Sequence, residues 1–207
     1  MSGPVIRSLA RRSAALVAAV VLVAAAGCAP DRESPGPSSV DVDTPELREM
    51  KAAAGIEPCV PGPGGGGLPE LTLPCLGGGD DVDLSSLTGP MILNVWNTAC
   101  GPCRKEMPAL QKFHEAYGSQ VPVLGLDVTD TQPEMAISFA ELVGATYPQL
   151  ADPGGDLFDQ PDLGLAPGFP QFIFLDAEGD VAAKATGGVH SVAEVRDLVR
   201  EHLGITL

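Results

Sequence analysis

Gly89-Pro90-Met91-Ile92-Leu93-Asn94-Val95-Trp96-Asn97-Thr98-Ala99-Cys100-Gly101-Pro102-Cys103 is the stretch on which the reading of this chain turns. The apolar run 91–96 is short and follows Gly89-Pro90, which predicts a buried strand. Beyond the cysteines, Leu110, Phe113 and Tyr117 recur at helical spacing, with Arg104, Lys105 and Lys112 off that stripe, so a helix follows. Cys100 then stands at a helix N-terminus, where unpaired backbone N–H groups and the macrodipole stabilise a thiolate. A C-x-x-C so placed has its first thiol pKa lowered toward or below neutrality, which makes Cys100 a nucleophile. This is disulfide-exchange chemistry.

Strands and helices alternate from this point to the end. The Val/Leu-rich run 121–128 predicts a strand, 133–143 a helix, 147–150 a short strand and 155–163 a helical turn or loop. Strands over 172–175 and 181–185 are joined by Asp176-Ala177-Glu178-Gly179, a hairpin turn by its Asp and Gly content. Ser191 caps a last helix, with Glu194 at the capping-box position and Val195, Leu198, Val199 and Leu203 on its apolar stripe. Upstream, Thr44-Pro45 is a helix start and predicts a helix over 45–54, and 62–67 is a Pro/Gly loop. The succession implies an α/β fold, a mixed sheet with helices on both faces.

The N-terminus reads as an export signal. Residues 1–27 begin with Arg7, Arg11 and Arg12, continue with an apolar stretch too short to span a bilayer comfortably, and end at Ala24-Ala25-Ala26-Gly27-Cys28. That ending resembles a bacterial lipobox, which implies lipidation of Cys28 and a lipid anchor on the extracytoplasmic face of the cytoplasmic membrane. Ala25 replaces the Leu usual in that motif, so plain secretion is the alternative. Residues 28–43, rich in Pro, Ser, Asp and Gly, read as a flexible tether. Without the three arginines of the signal, 9 basic residues face 27 acidic ones, a formal charge of −18 against −15 for the whole chain. No basic patch remains for nucleic acid, and the acidity suits a soluble extracytoplasmic domain.

These residues together resemble the thioredoxin-fold thiol–disulfide oxidoreductases, in the membrane-tethered TlpA/ResA-like group that includes the cytochrome c maturation thioredoxins. The resemblance covers 71–207, the thioredoxin-like domain, preceded over 44–70 by the N-terminal helix and Gly/Pro-rich loop. It rests on Cys100-Gly101-Pro102-Cys103 after a strand ending in Trp96, on Pro108 eight residues past Cys100, and on Phe169-Pro170 before the strand at 172–175. The group's N-terminal strand pair falls on 71–76 and 82–87. The seventy residues from Cys100 to Pro170 leave room for its central β-α insert. By resemblance, Cys100 attacks a partner disulfide, Cys103 resolves the mixed disulfide, and Cys100 is the more exposed of the two. Pro170 is the family's cis-proline, and Trp96, Gly101, Pro102 and Phe169 line the substrate side. Plain thioredoxins bury an Asp where this chain has Asn94; the ResA-like alternative is a Glu three residues after the second cysteine, and Glu106 occupies it. The implied partners are exported protein thiols and disulfides, among them apocytochrome c, and a membrane thiol carrier as electron donor. No cofactor beyond the Cys100–Cys103 disulfide is implied.

The remaining residues weigh alternatives. Cys59 and Cys75 flank the Gly-rich loop and, in an oxidising compartment, form a structural disulfide; the other reading is a second redox pair relaying electrons to Cys100. A structural metal lacks a second ligand pair, since the three histidines are scattered and His114, His190 and His202 are expected at the solvated surface. A Sco-like copper-delivery protein would use a C-x-x-x-C pair with a distant His, whereas only two residues separate Cys100 and Cys103. A peroxiredoxin would carry Pro and Thr where Leu93 and Asn97 stand. The alternative within the same chemistry is a disulfide-forming oxidase of exported proteins.

Overall fold

The computed structural model describes residues 40–207; the signal 1–27, Cys28 and most of the 28–43 tether lie outside the described residues. Among the described residues no helix is long and apolar enough to cross a membrane. Helix α1, Pro45–Ala54, starts at Thr44, whose side chain accepts from Leu47 N–H, and stops at Gly55 in the left-handed region (φ 70). The packed body begins within the segment expected as tether: Val42 is buried, and its carbonyl accepts from Gly77 N–H at 2.9 Å.

Two short strands, β1 (Thr72–Leu73) and β2 (Val82–Asp83), pair antiparallel, and a 3-10 turn, Leu84–Ser86, follows. They are shorter than the expected 71–76 and 82–87 because the chain after Leu73 leaves its partner for the edge of the main sheet. There Cys75 bridges Leu150, Leu76 N–H donates to Gln149 O and Ala151 N–H to Pro74 O, both at 2.9 Å. The Cys59–Cys75 disulfide ties the Pro/Gly loop to this edge. Closing a loop of this size contributes about 3 kcal/mol in the chain-entropy view.

The main sheet contains β3 (Met91–Trp96), β4 (Val123–Val128), β5 (Gln149–Asp152), β6 (Gln171–Leu175) and β7 (Val181–Thr186), in the order β5-β4-β3-β6-β7. Strands β3, β4 and β5 run parallel, while β6 and β7 are antiparallel to their neighbours, with Ile92 opposite both Val123 and Phe174. The helices are α2 (Gly101–Tyr117), α3 (Pro133–Val143) and α4 (Val192–Leu203).

Alternation along β3 separates two cores. Ile92 and Trp96 join Met107, Phe113, Ile137 and Val199 from the helices; Leu93 and Val95 join Leu73, Leu84, Leu87 and Leu157. Among the described residues, all four α-helices thus serve one face. The second face, expected to carry helices too, is covered by the strand pair, the 3-10 turn and 155–163. In that last segment the Asp152 carboxylate accepts from the N–H groups of Gly155, Asp156 and Leu157, and the bonds that follow, Phe158 N–H to Gly155 O and Leu163 N–H to Gln160 O, close single turns. Ser191 caps α4 through Glu194 N–H, and Glu194 reaches past the cap to His190 N–H.

Candidate active site

Strand β3 delivers its last residue, Trp96, to the core and its successors to the surface. The loop is held from the side: Asp130 accepts from Thr98 N–H at 2.7 Å and from Thr98 Oγ1 at 2.9 Å. Cys100 is the N-cap of α2, and Cys103 N–H donates to Cys100 Sγ at 3.0 Å. One of the helix's orphan donors therefore points at the sulfur that must carry negative charge, as the C-x-x-C spacing requires. The two cysteines form a disulfide. Cys100 keeps 7% of its surface and Cys103 none, so the first cysteine is the more accessible, although through a narrower window than expected.

Gly101 and Pro102 are exposed, and a Cβ at Gly101 would meet nothing within 4 Å, so the surface beside Cys100 is open at the glycine. The Phe169–Pro170 peptide is cis. Gln171 holds that loop from beneath, its Nε2 donating to Ala166 O and Gly168 O, both at 2.7 Å. Phe169 is half-buried, edge-on to Phe158 at 5.6 Å. Pro102, Phe169, Pro170 and Gly187-Gly188 line one open cleft of about 360 Å³ beside the dicysteine.

Glu106 lies one turn past Cys103 and is fully buried. Its Oε1 accepts from Asn94 Nδ2 at 2.8 Å, and Asn94 Oδ1 accepts from the Tyr147 hydroxyl at 3.2 Å. Oε2 has no hydrogen-bond partner; it faces Gly188, whose Cβ, if present, would stand 3.4 Å away. Burial pushes the Glu106 pKa up to about 8, against the opposing pull of Asn94 and the Val189 amide. Burial, and then the Glu106 charge, push the Tyr147 phenol upward as well. Asn94 thus occupies the place of the usual acid as a relay between Tyr147 and Glu106.

Trp96, expected on the substrate side, is instead fully buried. It stacks on Phe139 at 5.1 Å and its Nε1 donates to Gln149 Oε1 at 2.9 Å, so it offers a partner no surface. Gly125 in β4 makes room for Gln149, since a Cβ there would lie 1.8 Å from Oε1. His114, expected at the surface, is largely covered: Nδ1 accepts from Val123 N–H at 3.2 Å and Nε2 lies 3.3 Å from Glu57. His202 is half-buried with its ring 4.7 Å from Phe174, while His190 is exposed.

Four residues around the site went unread in the sequence: Tyr147, Gln149, Asp127 and Asp130. A glutamine within a short apolar strand is a signal for Gln149, and an Asp just past the end of a central strand is one for Asp130. Asp127 is buried, with Oδ1 unpartnered, and its pKa is pushed well up by burial and then by Asp130.

Residues 65–184 match the AhpC/TSA family. The thiol–disulfide oxidoreductase ResA of Halalkalibacterium halodurans is 29% identical over 127 residues, 59% of this chain and 69% of that protein. Among solved structures, a secreted thiol–disulfide isomerase from Corynebacterium glutamicum is 31% identical with a TM-score of 0.54, over 63% of this chain and 81% of that one. A DsbF homologue from Corynebacterium diphtheriae is 30% identical with a TM-score of 0.52, over 59% and 78%. With a thioredoxin-type sheet, a dicysteine at a helix start and a cis-proline beside it, the chain belongs to the AhpC/TSA family, as a TlpA/ResA-like thiol–disulfide oxidoreductase.

Proposed function

We propose that the protein works outside the cytoplasmic membrane, held there by lipid on Cys28, and exchanges disulfides with exported proteins chiefly as a reductant. The observation that carries this is the Cys100–Cys103 pair at the start of α2, with Cys103 N–H on Cys100 Sγ and a buried carboxyl one turn behind. In the dithiol form, the Cys100 thiolate attacks a partner disulfide and forms a mixed disulfide, releasing one partner thiolate. Cys103 loses its proton and attacks Cys100 Sγ; the second partner sulfur leaves and the Cys100–Cys103 bond closes. Two electrons pass to the partner.

Glu106 is the proton acceptor in this scheme. With a pKa of about 8, close to that of an ordinary thiol, its ionised form takes the Cys103 proton at little cost. Above Oε2 lies Gly188, which places no side chain over the carboxyl. The cis-proline loop and the end of β7 give the partner a backbone edge beside the sulfur. Apocytochrome c is a fitting substrate, with a membrane thiol carrier as donor, because both act on the same side of the membrane as the anchor.

The deciding experiment is the reduction potential of Cys100–Cys103 in dithiothreitol or glutathione buffers. A value near about −270 mV supports a reductant, and one near about −120 mV would make the protein an oxidant of exported proteins. Failure of the reduced protein to transfer electrons to insulin or to any exported disulfide would overturn the exchange activity itself.

A further inference from the structure

The Cys59–Cys75 disulfide is separate from the Cys100–Cys103 pair, and each of its sulfurs has a polar neighbour that a disulfide serves weakly or not at all. Lys51 on α1 is only 8% exposed. Its Nζ donates to Gly78 O at 2.7 Å and points at Cys75 Sγ from 2.9 Å. Among the described residues no carboxylate forms an ion pair with it; Asp43, whose charge acts on it, is bound by Arg48. Burial accordingly lowers the Lys51 pKa. At the other sulfur, Cys59 Sγ lies 3.2 Å from the Gln149 carbonyl oxygen.

A disulfide sulfur carries neither a proton for an acceptor nor a charge for an ammonium. A thiol at Cys59 would donate to the Gln149 carbonyl, whose second lone pair remains after Leu76 N–H is served. A thiolate at Cys75 would supply the counter-charge that the buried ammonium lacks. Gly77, Gly78 and Gly79, with φ of 71, 86 and 126, fold over the contact without side chains. A Cβ at Gly79 would stand 3.7 Å from Cys75 Sγ and 3.8 Å from Lys51 Nζ. The same loop borders an open cleft of about 520 Å³ with Lys51 in its wall; neither cysteine lines it, and Cys59, 3% exposed, is the more accessible of the pair, Cys75 keeping 1%.

We propose that Cys59–Cys75 is a second redox couple of this chain, with Lys51 and Gln149 placed to receive its reduced form as a Cys75 thiolate and a Cys59 thiol. The electron donor is a dithiol. Its thiolate attacks Cys59 Sγ, the Cys59–Cys75 bond breaks, and Cys75 leaves as a thiolate beside Lys51. The donor's second thiol, once deprotonated, attacks the donor sulfur of the mixed disulfide; Cys59 leaves and takes up a proton. The donor loses two electrons and two protons, of which Cys59 keeps one proton and solvent the other. This couple goes beyond exchange at Cys100–Cys103 and does not depend on it.

The test equilibrates the full chain and its Lys51→Met and Lys51→Arg variants across ratios of reduced to oxidised dithiothreitol. Alkylation and peptide mass spectrometry then read the two cysteine pairs separately. Lys51→Met is expected to lower the equilibrium constant for reducing Cys59–Cys75 at least tenfold, about 30 mV. Lys51→Arg should keep it within about threefold, and Cys100–Cys103 should not move, since removing one charge-stabilised thiolate acts on one couple only. In the unmodified protein between about pH 6 and 7.5, the constant should rise about tenfold per pH unit, because one proton is released. Equal constants for the Lys51→Met variant and the unmodified protein, or a pH-independent constant in the latter, overturn the proposal. The pH arm needs no variant and stands even if Lys51→Met does not fold. A Cys100–Cys103 pair that fails to titrate would count against the exchange site alone.

Discussion

Replacing Glu106 with glutamine keeps the shape of a buried carboxyl and abolishes its titration. Burial raises the Glu106 pKa from 4.5 to about 8 in the folded protein. Between those values the unfolded chain has released the proton and the folded one has not. The folded state then binds more protons, so stability falls as pH rises, by about 1.4 kcal/mol per unit. From about pH 5 to pH 7.5 the loss is on the order of 3 kcal/mol. Below the unfolded value both states are protonated and above the folded value both are ionised, so the slope vanishes at each end. Glu106→Gln has no slope from this position, while Asn94 Nδ2 retains an oxygen to donate to. Urea unfolding of both oxidised proteins at several pH values gives the two curves. Their difference cancels Asp127 and Asp152, whose pKa values burial also raises. The variant is expected to gain on the parent by on the order of 3 kcal/mol over that window. Parallel curves would refute a carboxyl that titrates in the core.

Further outcomes follow from single contacts. Cys103→Ser should accumulate mixed disulfides between Cys100 and exported proteins, visible on non-reducing gels, whereas Cys100→Ser should trap none. Gly125→Ala drives a Cβ to 1.8 Å from Gln149 Oε1 and should destabilise by about 1–3 kcal/mol or more, with a shift in the emission of Trp96, the only tryptophan. Asp130→Ala strips Thr98 of its acceptor and should cost about 1–3 kcal/mol, with faster hydrogen exchange at the Thr98 amide. Cys28→Ala should move the protein from the membrane fraction to the medium, and its retention in the membrane would argue against the lipid anchor.

The sequence by itself determined whatever neighbouring residues can enforce. Helices α1 and α3 fall on 45–54 and 133–143, as read, because each begins with a proline in its first turn and ends at a left-handed glycine, Gly55 or Gly144. The dicysteine and its helix were legible for the same reason: two thiols three positions apart and a helix start form one local unit. The cis-proline loop was legible through its likeness to a family rather than through spacing. Strand limits moved where pairing sets them, as in β5, which runs Gln149–Asp152 because β4 and the segment at 74–76 select those residues. What only the tertiary structure decided is which charges and rings lose their water. Arg104 and Lys105 face solvent while Glu106, next along the same turn, is sealed under Gly188 and bound to Asn94. Trp96 and His114 meet residues brought from far along the chain, Gln149 and Glu57, and Lys51 meets Cys75 across 24 positions. Desolvation depends on every segment that packs against a group, so the pKa of Glu106 and the setting of the second disulfide belong to the assembled fold.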